Sequence, residues 1–185
     1  MLTTITILLL VVIVVVAAMV AMLYNRLVTL RNRCQNAWAQ IDVQLRRRYD
    51  LIPNLVATVK GYASHERETL EAVVAARGAA MEASGVEGRA AAENQLSGAL
   101  KSLFALAEAY PDLKANASFL SLQDQLADTE GKIAYARQFF NDSVMSFNMA
   151  VQQFPANVIA GLFGFTERAY FEIEASAKEP VSVSF

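Results

Sequence analysis

Residues 1–24 contain no charged side chain, and between Ile5 and Leu23 only Thr6 is polar. About 20 apolar residues wound as a helix span roughly 30 Å, the hydrocarbon thickness of a bilayer. The run therefore predicts a transmembrane helix. It also accounts for the composition, which is 55% hydrophobic against about 45–50% in soluble domains. A cleaved signal peptide is the rival reading. It would carry a basic leading segment, a shorter apolar core and a small-x-small cleavage site. No Lys or Arg precedes this run, and its length exceeds such a core, although Ala17, Ala18 and Ala21 resemble a cleavage site. A lipoprotein anchor would need small apolar residues before a cysteine, whereas Cys34 follows Arg31, Asn32 and Arg33.

Charge gives the expected orientation. Arg26, Arg31 and Arg33 follow the apolar run at once, and Arg46, Arg47 and Arg48 come soon after. Basic flanks stay in the cytoplasm, so the expectation is a single-pass membrane protein with that flank on the cytoplasmic side. Its short N-terminus would lie outside and its bundle in the cytoplasm. From Tyr49 onward acidic residues outnumber basic ones, which argues against nucleic acid as a partner. The lipid bilayer is the first expected partner. The run Arg46–Arg48 reads as a solvated basic face, with contact to lipid phosphates as its alternative. A lone cysteine, Cys34, forms no internal disulfide, which suits a reducing compartment.

After the anchor the apolar pattern has helical period. Leu27, Leu30, Cys34, Ala37, Ile41 and Leu45 recur at spacings of three and four and mark one face. The first helix is expected to run from the bilayer to about Arg48, with Cys34 as a small buried apolar residue. Trp38 is about 14 residues, or roughly 20 Å, beyond Tyr24, too far for an interfacial aromatic belt, and is expected to pack in the core or at an interface. Asp50 suits an N-cap, with Pro53 in the first turn of a second helix; a proline-kinked continuous helix is the alternative. Leu51, Leu55, Val59, Tyr62, Leu70, Val73 and Met81 form the next stripe, ending in the loop around Gly85 and Gly88. A third helix over about residues 89–109 points Leu96, Leu100, Leu103, Phe104 and Ala107 inward. Tyr110-Pro111-Asp112 stops it.

A fourth helix, over about residues 118–153, carries a coiled-coil-like signal. Phe119, Leu126, Ile133, Phe140, Phe147 and Phe154 recur every seven residues. Leu122, Thr129, Ala136, Ser143 and Ala150 occupy the matching seam. One large seam beside one mostly small seam permits close left-handed packing. Beyond Pro155 the apolar stretch through Phe165 reads as a short helix or loop on the bundle, or as an interfacial or subunit-contact segment. Ala169 to Glu174 and Val181 to Phe185 read as two short strands. The expected fold class is all-α: a transmembrane helix (1–24), an elongated helical bundle (25–153) and a short hairpin-like tail (154–185).

The search for chemistry yields no catalytic, cofactor-binding or metal site. His65 is the single histidine, beside Glu66 and Arg67, and reads as an exposed helical residue. Glu-x-x-His pairs for a di-metal bundle and glycine-rich phosphate loops are both missing. Asp42, Glu130, Arg137 and Asp142 are candidates for polar contacts between helices. The chain is not expected to be an enzyme.

Several strings are similar to the LemA family of bacterial membrane proteins. They include Tyr24-Asn25-Arg26-Leu27, the run Ala37-Trp38-Ala39-Gln40-Ile41-Asp42, and Arg48-Tyr49-Asp50-Leu51-Ile52-Pro53-Asn54-Leu55. Tyr110-Pro111-Asp112-Leu113, Ile133-Ala134-Tyr135-Ala136-Arg137 and Phe163-Gly164-Phe165 continue the likeness. Cys34 and Phe139-Phe140-Asn141 depart modestly from the family pattern. The resemblance implies a membrane-anchored antiparallel bundle without an established reaction, and relatives in magnetosome membranes hint at membrane organisation. A self-associating scaffold, a homo-oligomer, is the leading expectation. An accessory or sensor subunit bound to another membrane protein, such as a protease or kinase, is the alternative.

Overall fold

The computed structural model describes residues 1–172, and every element in it is helical. In order these are α1 (Leu2–Lys60), α2 (Arg67–Glu82), α3 (Val86–Ala107), α4 (Pro111–Lys114), α5 (Ala117–Gln152) and α6 (Ala156–Phe163). The chain divides into two compact units. One comprises Met1–Ala39 with Phe139–Arg168, and the other Gln40–Gln138 with the described residues from Ala169.

The second unit contains the largest departure from the sequence reading. Asp50 does not start a helix, because α1 continues through Pro53 to Lys60. A proline inside a helix removes one N–H and leaves the carbonyl four residues earlier without its donor. Here that carbonyl belongs to Tyr49, and Arg77 Nε of α2 donates to it at 2.8 Å. The defect is repaired from outside the helix. Because α1 keeps its register, Ile52, Leu55 and Val59 are its buried residues, while Leu51 is only half-buried. The break comes later, at residues 61–66. Tyr62 and His65 are exposed there, so His65 lies in a turn and not in the helix expected for it.

α2 and α3 are joined by a short loop at Gly85, whose φ of 75° lies where L side chains are disfavoured. α2 buries Leu70 and Val73, and α3 buries Leu96, Leu100 and Leu103. Met81, expected on the buried stripe, is exposed. α4 begins at Pro111, where the missing N–H costs nothing. Asn116 then caps α5, its Oδ1 accepting the Phe119 N–H at 3.0 Å.

The heptad reading of α5 holds from Phe119 to Ala150. Phe119, Leu126, Ile133, Phe140 and Phe147 are buried, as are Leu122, Thr129, Ala136, Ser143 and Ala150 on the small seam. Each fully buried Phe on the large seam contributes about 1.5–3 kcal/mol. Thr129 and Ser143 return their hydroxyls to the carbonyls of Gln125 and Phe139, at 2.7 Å in both cases. Phe154 leaves the seam: α5 ends at Gln152, and Phe154 is exposed.

In the first unit, residues 1–19 of α1 are exposed throughout. Burial in α1 begins with Leu27, Cys34 and Ala37, and the same unit buries Phe140, Val144 and Phe147 of α5 and Ile159 and Ala160 of α6. Trp38 packs there too, 5.4 Å from the Phe140 ring centroid. Gly164, with φ of 71°, ends α6, and Phe165 N–H reaches back to the Ala160 carbonyl at 2.9 Å. The first expected strand fails, since residues 169–172 are irregular and no strand occurs among the described residues. A hairpin without a sheet to join has little to stabilise it. The second expected strand, Val181 to Phe185, lies outside the described residues.

Candidate functional site

Two polar or aromatic constellations stand out, one in each unit. In the second unit, the stripe of α1 that buries Ile41, Leu45 and Ile52 also buries Arg48. The stripe of α3 that buries Leu96 and Leu100 is extended one turn earlier by Glu93. Arg48 Nη2 pairs with Glu93, and its Nη1 donates to Glu130 at 2.6 Å and to Ser97 at 3.2 Å. The Tyr49 hydroxyl donates to the other Glu93 oxygen. Arg137 reaches Glu130 at 3.4 Å and lies 5.7 Å over the Phe171 ring. Asp42 joins Arg46 at 2.9 Å and Arg89 at 3.4 Å.

The expected contacts between helices are present for Asp42, with Arg89, and for Glu130, with Arg48; the ionic partner of Arg137 is Glu130 on α5 itself, and Asp142 is exposed and outside the network. The basic run divides: Arg46 and Arg47 are exposed, but Arg48 is buried and is no part of a solvated face. Glu93 and Arg48 were discoverable as ionic residues at inward positions of apolar stripes. Burial, then the hydrogen bond and charge of Glu93, push the Tyr49 hydroxyl well above the usual phenol range. Burial lowers Arg137, with the Glu130 charge opposing. A cavity of about 450 Å³ lies beside the cluster, lined by Ser97, Leu100, Phe104 and Leu126 among others. Chemically, the cluster satisfies buried charges with one another. Among the described residues no group of three His, Cys, Asp or Glu is placed to hold a metal ion.

In the first unit, aromatic rings gather where the apolar run of α1 ends. Tyr24 lies 4.8 Å from the Phe163 ring centroid and 5.8 Å from that of Phe165. Arg31 lies 5.3 Å over Phe165, and Phe165 meets Phe147 edge-on at 6.4 Å. Asn148, buried on α5, clamps the segment after α6 through two bonds of 2.9 Å, donating to the Arg168 carbonyl and accepting the Arg168 N–H. Cys34 is buried nearby, and burial raises its thiol against the opposing charges of Arg168 and Arg33. It is a packing residue. Asn148 was not singled out from sequence, because its position beside Phe147 in the heptad masks its polar role.

α1 is the one described helix long and apolar enough to cross a membrane. With the ion-paired core, these features define the class: a membrane-associated helical protein with one long apolar N-terminal helix among the described residues. Residues 37–185 match the model of the LemA family, and the chain belongs to that family. It is similar to the magnetosome protein MamQ of Magnetospirillum gryphiswaldense, with 26% identity over 186 residues, 86% of this chain and 68% of that protein. Magnetosome protein MamQ 1 of Paramagnetospirillum magneticum is 23% identical over 190 residues, covering 89% and 70%. Protein LemA of Metamycoplasma hominis is 29% identical over 164 residues, covering 86% and 72%.

Proposed function

We propose that this protein is a non-enzymatic scaffold of the bacterial cytoplasmic membrane, anchored by residues 1–24 and self-associating in the bilayer plane. The observation that carries this reading is the unbroken helix at the membrane boundary. α1 passes from exposed apolar residues into packed ones, Leu27 onward, with no linker between. A flexible link would let a tethered domain swing through a range of heights; a continuous helix holds the packed surface at a fixed height, which suits assembly. The buried acids and bases are committed to one another, as Glu93 is to Arg48 and Tyr49. Ala17 and Ala21 form a small-xxx-small pair that lets anchor helices approach closely. Two relatives are named as magnetosome proteins, which agrees with a role in organising a membrane.

The anchor would have its N-terminus outside and the bundle in the cytoplasm, from Arg26, Arg31 and Arg33. A cysteine placed at Gly88 in a Cys34→Ala background should resist an impermeant thiol reagent in intact spheroplasts. Ready labelling would reverse the orientation. Full-length protein in lipid nanodiscs or mild detergent should form a closed homo-oligomer, and a persistent monomer at high concentration would refute the scaffold. One feature favours an accessory subunit for another membrane protein instead. A groove of about 640 Å³ between α1 and α5 is lined by Gln40, Val43 and Tyr135 among others, and Val43 and Tyr135 are both exposed. A monomer that co-purifies with a second membrane protein through this groove would establish that alternative.

A further inference from the structure

α6 carries apolar side chains on both faces, with Asn157 as its one polar residue. Ala156, Ile159 and Ala160 pack inward, while Val158, Leu162 and Phe163 are 52%, 75% and 56% exposed, and Phe154 just before the helix is 82% exposed. No charged residue occurs between Phe154 and Phe165. A helix that buries one apolar face and leaves another uncovered requires a second apolar medium. What identifies that medium is the contact with Tyr24. Phe163 lies against the tyrosine that closes the uncharged run of α1, the level at which a spanning helix leaves the hydrocarbon and tyrosine side chains collect. Arg26 and Arg33 follow on α1, both exposed, where anionic headgroups would lie.

We infer that α6 and Phe154 are a second membrane element, lying in the headgroup–acyl boundary beside the foot of the anchor. The occupant of the exposed face is the bilayer, not a second copy of the chain. The inference rests on the proposed span but asks more of the fold. An interfacial helix of this kind holds the anchor and the base of the bundle against the membrane at two points, and so fixes the rotation of α1 about its own axis.

The test uses full-length protein in liposomes containing anionic lipid, with Cys34→Ala and one environment-sensitive fluorophore at Val12→Cys, Leu162→Cys or Lys101→Cys. Nitroxide on lipid chains near the headgroup should quench the Leu162 probe strongly, and aqueous iodide should quench it weakly. The Lys101 probe should behave in the opposite way, and the Val12 probe should report deep lipid. A Leu162 probe as open to iodide as Lys101, with Val12 still in lipid, overturns the interfacial helix and leaves the anchor standing. Shielding of Leu162 from both quenchers, with self-quenching between labels, assigns the face to a second copy and overturns the inference. Val12 in water overturns anchor and inference together.

Discussion

Replacing Arg48 by Met tests whether the charged cluster is a closed structural network. The Arg48 and Glu93 side chains are 3% and 4% exposed, whereas Glu130 is 46% exposed. Loss of Arg48 strands Glu93 in the core with the Tyr49 hydroxyl as its remaining donor partner. Removing one member of such a buried pair costs about 3–5 kcal/mol. Glu130→Gln leaves the Arg48–Glu93 pair intact and removes a charge that water already screens, so its cost is about 1 kcal/mol or less. The double variant Arg48→Met with Glu93→Gln removes both buried charges and should recover part of the single loss. The assay is urea unfolding of full-length protein in mild detergent followed by circular dichroism, with equal slopes required before midpoints are compared. If Glu130→Gln costs as much as Arg48→Met, or the double variant equals the sum of its parts, the closed network is wrong.

Arg77→Leu should cost about 1–3 kcal/mol by leaving the Tyr49 carbonyl bare. It should cost less in a Pro53→Ala background, where the helix supplies its own N–H; a double-mutant cycle in the same unfolding assay reads the coupling. Phe147→Ala should cost about 3–5 kcal/mol and His65→Ala no more than about 0.5 kcal/mol, and the reverse ranking would refute the α5 register. Tyr49 is protonated in both states below the unfolded value of 10.0, so its raised folded pKa adds no pH slope there. Above that pH the unfolded chain ionises first and stability falls as pH rises; Tyr49→Phe should flatten that loss in alkaline unfolding curves.

What could be read in advance follows the reach of each physical signal. The seam of α5 was legible because a seven-residue repeat over several turns has one helical solution, and Phe119 through Phe147 occupy it. The first stripe, from Leu27 to Leu45, was legible for the same reason. The continuity of α1 was read only as the alternative, a proline-kinked helix, because Pro53 is a local stop signal that a distant residue overrides. Nothing in the neighbourhood of Pro53 says that Arg77 will supply the missing donor. The ionic cluster was half legible: Asp42, Glu130 and Arg137 were singled out, but Arg48 was read with its exposed neighbours Arg46 and Arg47. Its position four residues before Ile52 and three after Leu45 pointed inward. The strand expected from residue 169 rested on residue type alone, and β-propensity depends on a sheet to pack against.

Exposure to water is the wrong reference for part of this chain. Val11 to Val16 are exposed in the structure, though less so than Leu162, yet in a bilayer they are solvated by acyl chains and demand no protein partner. Val43 and Tyr135 are bare for a different reason, since they line the groove between α1 and α5 that the accessory-subunit reading would fill. The α6 set belongs with neither by sequence, being too short to span and too contiguous to be incidental. Its place in the fold supports the inferred contact with lipid. Leu162 and Phe163 follow from the same helix whose other face fills the core with Ile159 and Ala160. Asn148 fixes the segment beyond it, and Tyr24 sets its height against the span. An apolar face held rigidly at the level where hydrocarbon ends is satisfied by the membrane itself. That predicts a Leu162→Glu variant that keeps its helical content in detergent but loses the lipid quenching of a probe at Val158→Cys in liposomes. Unchanged quenching would mean that the face does not touch lipid.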